Sequence, residues 1–166
     1  MARLRYYPAV EEMPGVQHDH PHATNVIRDA FGPADGLPFV SVVERLPQTT
    51  APTTVHAHRG WNELIVMLTG KVVLWCGSSP AEIRPYPLEP GGMFLIPASS
   101  CHVFVNGNVA ARWMIMFVPE PGTAPAETRE DISRHSTERR IPIPADRLDE
   151  VRRSVHALDV PDRDAV

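Results

Sequence analysis

Between positions 37 and 118 the chain alternates short apolar runs with Gly, Pro and Asn at short intervals. The runs fall at 37–46, 53–58, 63–68, 71–76, 93–96, 101–105 and 112–118. Runs of this length bounded by turn formers read as β-strands, and their regular succession predicts an antiparallel sandwich or barrel. No stretch of normal helix length interrupts them. Residues 77–90 carry four prolines, each lacking the N–H that a central strand must donate, which predicts an edge strand or an exposed loop. Before this region, residues 1–36 are rich in Pro, Gly, Asp and His; only Asn25 to Phe31 offers a strand or short helix, and the stretch reads as an arm wrapped over the core. Beyond Val118 a Pro-Glu-Pro-Gly-Thr-Ala-Pro run leaves the sheet. Leu148, Val151, Val155 and Leu158 then recur at helical spacing, predicting an amphipathic helix of about four turns. The expected division is an arm over 1–36, a β domain over 37–119 and an extension with the helix over 120–166.

Composition narrows the function classes. A chain of 166 residues with 43% hydrophobic content suits one domain with a sizeable core. A net charge of -4 gives no electrostatic footprint for nucleic acid or an anionic membrane, and Arg139-Arg140 and Arg152-Arg153 are isolated pairs. No apolar run reaches spanning length and the first residues lack the apolar core of a secretory signal, so the expectation is a cytoplasmic protein. Two cysteines, Cys76 and Cys101, are too few for a disulfide framework and read as reduced packing residues.

The densest chemistry lies in residues 53–70, which place His56, His58 and Glu63 within eight positions. On a strand, side chains two apart share a face, so His56 and His58 can offer imidazole nitrogens to one ion. Glu63 lies five residues beyond His58 and joins them only if the chain turns between, for which Arg59-Gly60-Trp61-Asn62 is suited. From Glu63 a buried strand follows, closed by Thr69-Gly70, with Glu63, Ile65 and Met67 on its inward face. A His-x-His pair alone is weak, since this composition yields roughly 0.4 by chance; the added spacing to Glu63 and Gly70 makes the pattern specific. Residues 91–106 supply a fourth candidate, His102, near the start of a strand that follows Pro97 and a small-residue turn. The His18-Asp19-His20-Pro21-His22 tract also alternates histidines, but no partner spacing fixes a geometry there, and it reads as a solvated loop.

Together the two stretches resemble the paired motifs of the cupin superfamily. The first motif matches at His56, His58, Glu63 and Gly70, with Thr50 at its leading Gly; the second matches at Gly91, Pro97, His102 and Asn106, with Ser99 at its inner Gly. Both departures concern turn geometry, and all four ligand positions are present. The resemblance implies an all-β, cupin-type jelly-roll barrel with an N-terminal arm and a C-terminal helix.

Three imidazoles and a carboxylate suit one divalent transition metal, with Fe(II) favoured and Mn, Ni, Co, Cu or Zn as alternatives, and leave positions for water, substrate or dioxygen. No residue beyond these ligands declares itself a dedicated acid or base. Trp61, Ile65, Met67, Phe104 and Arg112 are the candidate substrate pocket, with Arg59 and Asn62 beside the ligand-bearing turn. Metal-binding cupins include dioxygenases, decarboxylases, sugar isomerases and natural-product cyclases. The leading expectation is therefore an Fe(II) oxygenase acting on a small organic molecule, ahead of a non-redox cyclase, isomerase or decarboxylase. A non-catalytic small-molecule sensor comes last, since such regulators carry a DNA-binding helical domain. The apolar helix stripe and the edges of a small sandwich predict a homodimer.

Overall fold

The computed structural model describes residues 9–20, 23–48, 50–123, 126, 132 and 140–158. Eleven strands occur among them: β1 (Gly15–His20), β2 (Ala23–Phe31), β3 (Phe39–Arg45), β4 (Thr54–Val55), β5 (Trp61–Thr69), β6 (Val72–Gly77), β7 (Arg84–Leu88), β8 (Met93–Ile96), β9 (Cys101–Val105), β10 (Ala111–Pro119) and β11 (Ile141–Pro142). Helix α1 (Ala145–Ala157) follows. One sheet has the order β1-β2-β3-β10-β5-β8 and a second the order β7-β6-β9, all antiparallel, with a short β11-β4 pair beside the second.

Strand periodicity sorts the side chains into layers. On β5 and β10 every second residue is buried, from Trp61 to Met67 and from Ala111 to Phe117. These residues, with Phe39 and Val43 of β3, Val72, Leu74 and Cys76 of β6 and Phe104 of β9, fill the space between the two sheets. The other face of the small sheet, Val73, Trp75, Val103 and Val105, is covered by Val151 and Val155 of α1, with Leu148 and Leu158 packed beside them. Each fully buried valine is worth about 1.5–3 kcal/mol, so the helix stripe is spent within the chain. Ser154 Oγ also accepts a hydrogen bond from Trp75 Nε1 at 3.1 Å.

Two expectations change. The stretch expected as an arm contributes the β1-β2 hairpin to the large sheet, with Asn25 and Ile27 of β2 facing the interior opposite Arg45 and Val43. Its sequence hides this because an edge strand pairs through its backbone, and Val16 and Gln17 on β1 are exposed. His18 and His20 lie in β1 rather than in a loop; Pro21 and His22 lie outside the described residues. The proline-rich segment holds β7, an edge strand as its prolines require.

Tight turns fix the strand register. Gly70, between β5 and β6, has φ 73°, and a Cβ there would stand 2.6 Å from the Ala110 carbonyl oxygen. Conformation and space both demand glycine.

Candidate metal centre

His56, His58, Glu63 and His102 converge at one end of the interior, with their ligand atoms all within 4.8 Å of one another. Regular β4 ends at Val55, and His56 is held by a single bridge to His102. Gly60 (φ 71°) then reverses the chain so that Glu63, one turn inside β5, points back at the histidines. The odd offset between His58 and Glu63 is absorbed by this turn. Asn62 ties it down: its Oδ1 accepts from the Ala98 N–H at 3.0 Å and its Nδ2 donates to the Val118 carbonyl at 3.3 Å. Ser99 N–H donates to the His58 carbonyl at 2.8 Å, joining the loops that carry two ligands.

The polar atoms at the centre fit a cation. Glu63 Oε1 lies 2.7 Å from His58 Nε2 and 3.0 Å from His102 Nε2. Neither contact has hydrogen-bond geometry, and Glu63 Oε1 and His102 Nε2 are buried without a hydrogen-bond partner. Orphaned buried lone pairs are costly unless something else satisfies them. Ligands about 2.0–2.2 Å from a shared ion lie roughly 3 Å or a little more from each other, close to the spacing seen here. His102 Nδ1 stands 3.0 Å from the Ser100 carbonyl oxygen, and donation there fixes the tautomer with the Nε2 lone pair facing the centre.

Electrostatics agree. Burial, reinforced by the neighbouring His102 and His58, holds His56 well below the usual histidine range, which favours the neutral, ligating form. Burial alone would raise Glu63; the charges of His102 and His58 outweigh it and keep the group a carboxylate. Burial would lower His102, but the Glu63 carboxylate outweighs that and raises it. Cys76, opposite His102 in the β6-β9 register, is a thiol pushed up to about 11, first by burial and then by Glu63. Cys101, pointing to the helix-covered side, is raised by burial too.

Ile65, Met67 and Phe104 form the apolar wall expected of them, joined by Trp113, which stacks on Phe104 at 4.9 Å between ring centroids. Trp61 is not at an open mouth: it is buried in the same core and packs edge-on against Phe39 at 6.4 Å. Arg59 is exposed. Arg112 is not in the interior. It alternates with inward Trp113 and is held by Glu11 at 2.8 Å and Glu44 at 3.2 Å. Sequence reasoning missed Arg45, the inward arginine. Its Nε donates to Asn25 Oδ1 at 2.8 Å, and Nη1 donates to the Phe104 carbonyl. Its parity with Phe39 and Val43 was the available signal.

A family model described as the cupin domain matches residues 42–118. No curated protein sequence matches the chain at a significant level. Among solved structures, the polyketide cyclase RemF from Streptomyces resistomycificus is 21% identical, with a TM-score of 0.55, covering 77% of this chain and 89% of that one. A sugar phosphate isomerase of the cupin superfamily from Silicibacter pomeroyi is 19% identical, with a TM-score of 0.51 over 68% and 75%. Fe(II)-HppE is 16% identical, with a TM-score of 0.55 over 69% of this chain and 60% of its own. At these identities the likeness concerns the fold. The matched family model and the sheet order agree, and residues 42–118 form a cupin domain.

Proposed function

We propose that the protein is a metal-dependent enzyme acting on a small organic molecule, and first a mononuclear non-haem Fe(II) oxygenase. The observation that carries the proposal is the pair of unpaired polar atoms Glu63 Oε1 and His102 Nε2 converging with His56 and His58 beside an apolar wall. Four protein ligands leave one or two positions on a five- or six-coordinate ion, the feature that separates a catalytic metal from a structural one. A redox-active ion would supply the electrons that dioxygen chemistry needs, whereas zinc would serve only as a Lewis acid or to activate water. Ile65, Met67, Phe104 and Trp113 are buried in the core beside the candidate ligands and give that side of the site apolar surroundings. The fold is shared with Fe(II)-HppE, a protein that holds iron(II), which is in keeping with iron at such a site.

One observation favours a second reading, a non-redox cyclase, isomerase or decarboxylase in small-molecule biosynthesis. Overlap with the polyketide cyclase is wider than with HppE, at 77% of this chain and 89% of that one. An apolar wall would also fold a flexible substrate for ring closure. Metal-free protein reloaded with Fe(II) or Zn(II) and assayed for product and oxygen uptake separates the two. Turnover that needs iron and consumes oxygen supports the oxygenase; full turnover by the zinc form under anaerobic conditions contradicts it and supports the second reading.

A further inference from the structure

Asn62 breaks the pattern of the strand that carries it. The other outward positions of β5 are Leu64, Val66 and Leu68, and asparagine is a poor strand former. Its carboxamide accounts for its place, because both halves are used. Oδ1 accepts from the Ala98 N–H at 3.0 Å, and Nδ2 donates to the Val118 carbonyl at 3.3 Å. Among neutral side chains a carboxamide offers an acceptor and a donor fixed side by side. The Ala98 bond does what the backbone ladder cannot. Strands β5 and β8 pair as far as Glu63 and Ile96, and the next residue, Pro97, has no N–H to give.

Beyond Ala98 the loop meets two of the candidate ligands. The Ser99 N–H donates to the His58 carbonyl at 2.8 Å. Ser100 closes the turn by donating its N–H to the Pro97 carbonyl at 3.1 Å, and its own carbonyl stands 3.0 Å from His102 Nδ1. Donation there leaves the Nε2 lone pair of His102 facing the centre. A third candidate ligand, Glu63, directly follows Asn62 and points to the opposite, inward face. On its other side Asn62 reaches the end of β10, beyond which Glu120 N–H and Thr123 Oγ1 donate to the Gly60 carbonyl at 2.8 and 2.9 Å. One half-buried carboxamide thus joins the two segments that flank the ligand-bearing turn.

Resting on the metal reading, we infer that Asn62 is a positioning residue of the metal centre. Its Oδ1 fixes the 97–100 loop and, through the Ser100 carbonyl, the tautomer and direction of the His102 ring. It is not a ligand and acts through the loop. Removing partners that orient ligand histidines weakens metal affinity by roughly 10–100-fold, and the same scale is expected here.

Three readouts on the full chain, in unaltered form and as Asn62→Leu and Asn62→Asp, test this. They are Co(II) affinity by chelator competition, the Co(II) d–d absorption spectrum, and the imidazole N–H proton signals of the Zn(II)-loaded protein. Leucine keeps the size and removes both bonds; aspartate keeps the acceptor for Ala98. Asn62→Leu should bind Co(II) roughly tenfold or more weakly, with a shifted d–d spectrum. It should also lose the His102 Nδ1 proton signal, which is assigned by its absence from His102→Gln. In Asn62→Asp the spectrum and the proton signal should match those of the unaltered protein. Unchanged affinity in Asn62→Leu, weaker affinity with both spectra unchanged, or an aspartate variant that restores neither would overturn the inference. A leucine variant that cannot fold would overturn it too, since Asn62 is assigned to the site and not to the fold. If the unaltered protein takes up no metal, the metal reading fails. The His102 proton signal of the metal-free proteins, kept in the unaltered chain and lost in Asn62→Leu or kept in both, then decides for or against Asn62.

Discussion

His56 and His102 face each other across one antiparallel bridge, exchanging both backbone hydrogen bonds at 3.1 and 2.8 Å. Their rings stand 4.2 Å apart between centroids. Two candidate ligands 46 positions apart in the numbering are therefore aligned by main-chain geometry. Such preorganisation makes metal binding cheap, because little chain entropy is lost on binding.

Loop strain offers the first prediction. Ser99 is the described non-glycine residue with positive φ, at 65°, and stands where the cupin motif has glycine. The left-handed conformation costs an L-residue about 1–2 kcal/mol, while a glycine returns about 0.5–1 kcal/mol through its freer unfolded chain. Ser99→Gly should therefore stabilise the protein by about 0.5 kcal/mol or more in urea denaturation. A loss of stability would show that the Ser99 side chain makes a compensating contact.

Metal uptake should strengthen as pH rises. In the metal-free protein His102 has its pKa raised above 6.5, and a proton on Nε2 occupies the lone pair an ion needs. Below that raised value the proton competes; above it the site is free. Glu63, held well below 4.5, stays ionised and adds no dependence in this window. For the metal-free fold the sign reverses: the His102–Glu63 pairing contributes stability fully present below the unfolded histidine pKa and lost as pH rises through the folded one. Competition with a chromophoric chelator between about pH 6 and 8 should show affinity climbing. A flat or falling profile would contradict this.

How much of this was legible in the sequence depended on what fixes each feature. The clustering of His56, His58, Glu63 and His102 could be read because a shared site demands both residue type and spacing, and strand parity placed Ile65 and Met67 on the inward face with Glu63. Arg45 and Arg112 could not be ranked by residue type, since each looks like a charged strand end. Only alternation with Val43 and Trp113 separates them, turning Arg45 inward and Arg112 out to Glu11 and Glu44. Asn25 to Phe31 of β2 was readable as a strand or short helix, but β1 was obscured because backbone pairing at a sheet edge leaves no apolar pattern behind. For the helix, periodicity gave the apolar stripe but not its partner, and Val151 and Val155 are buried within the chain.

With the helix stripe buried within the chain, the sheet edge is the remaining ground for expecting a homodimer. On the outer face of the large sheet Leu64 pairs with Leu95 and Val66 with Met93, and Met93 and Leu95 are 68% and 58% exposed. An apolar edge strand of this kind invites pairing with a second copy. Light scattering at micromolar concentration should give a dimer mass, and Met93→Glu with Leu95→Glu should give a monomer that still binds metal. A monomer mass for the unaltered chain would rule the interface out.

The central claim, that His56, His58, Glu63 and His102 hold one metal ion, is tested most directly by metal content per chain in His58→Ala beside the unaltered protein. Elemental analysis after purification without added metal should find close to one transition-metal ion per unaltered chain and only a small remainder in the variant. Circular dichroism should show the same strand signal in both. Equal metal content in the two folded proteins would contradict the assignment.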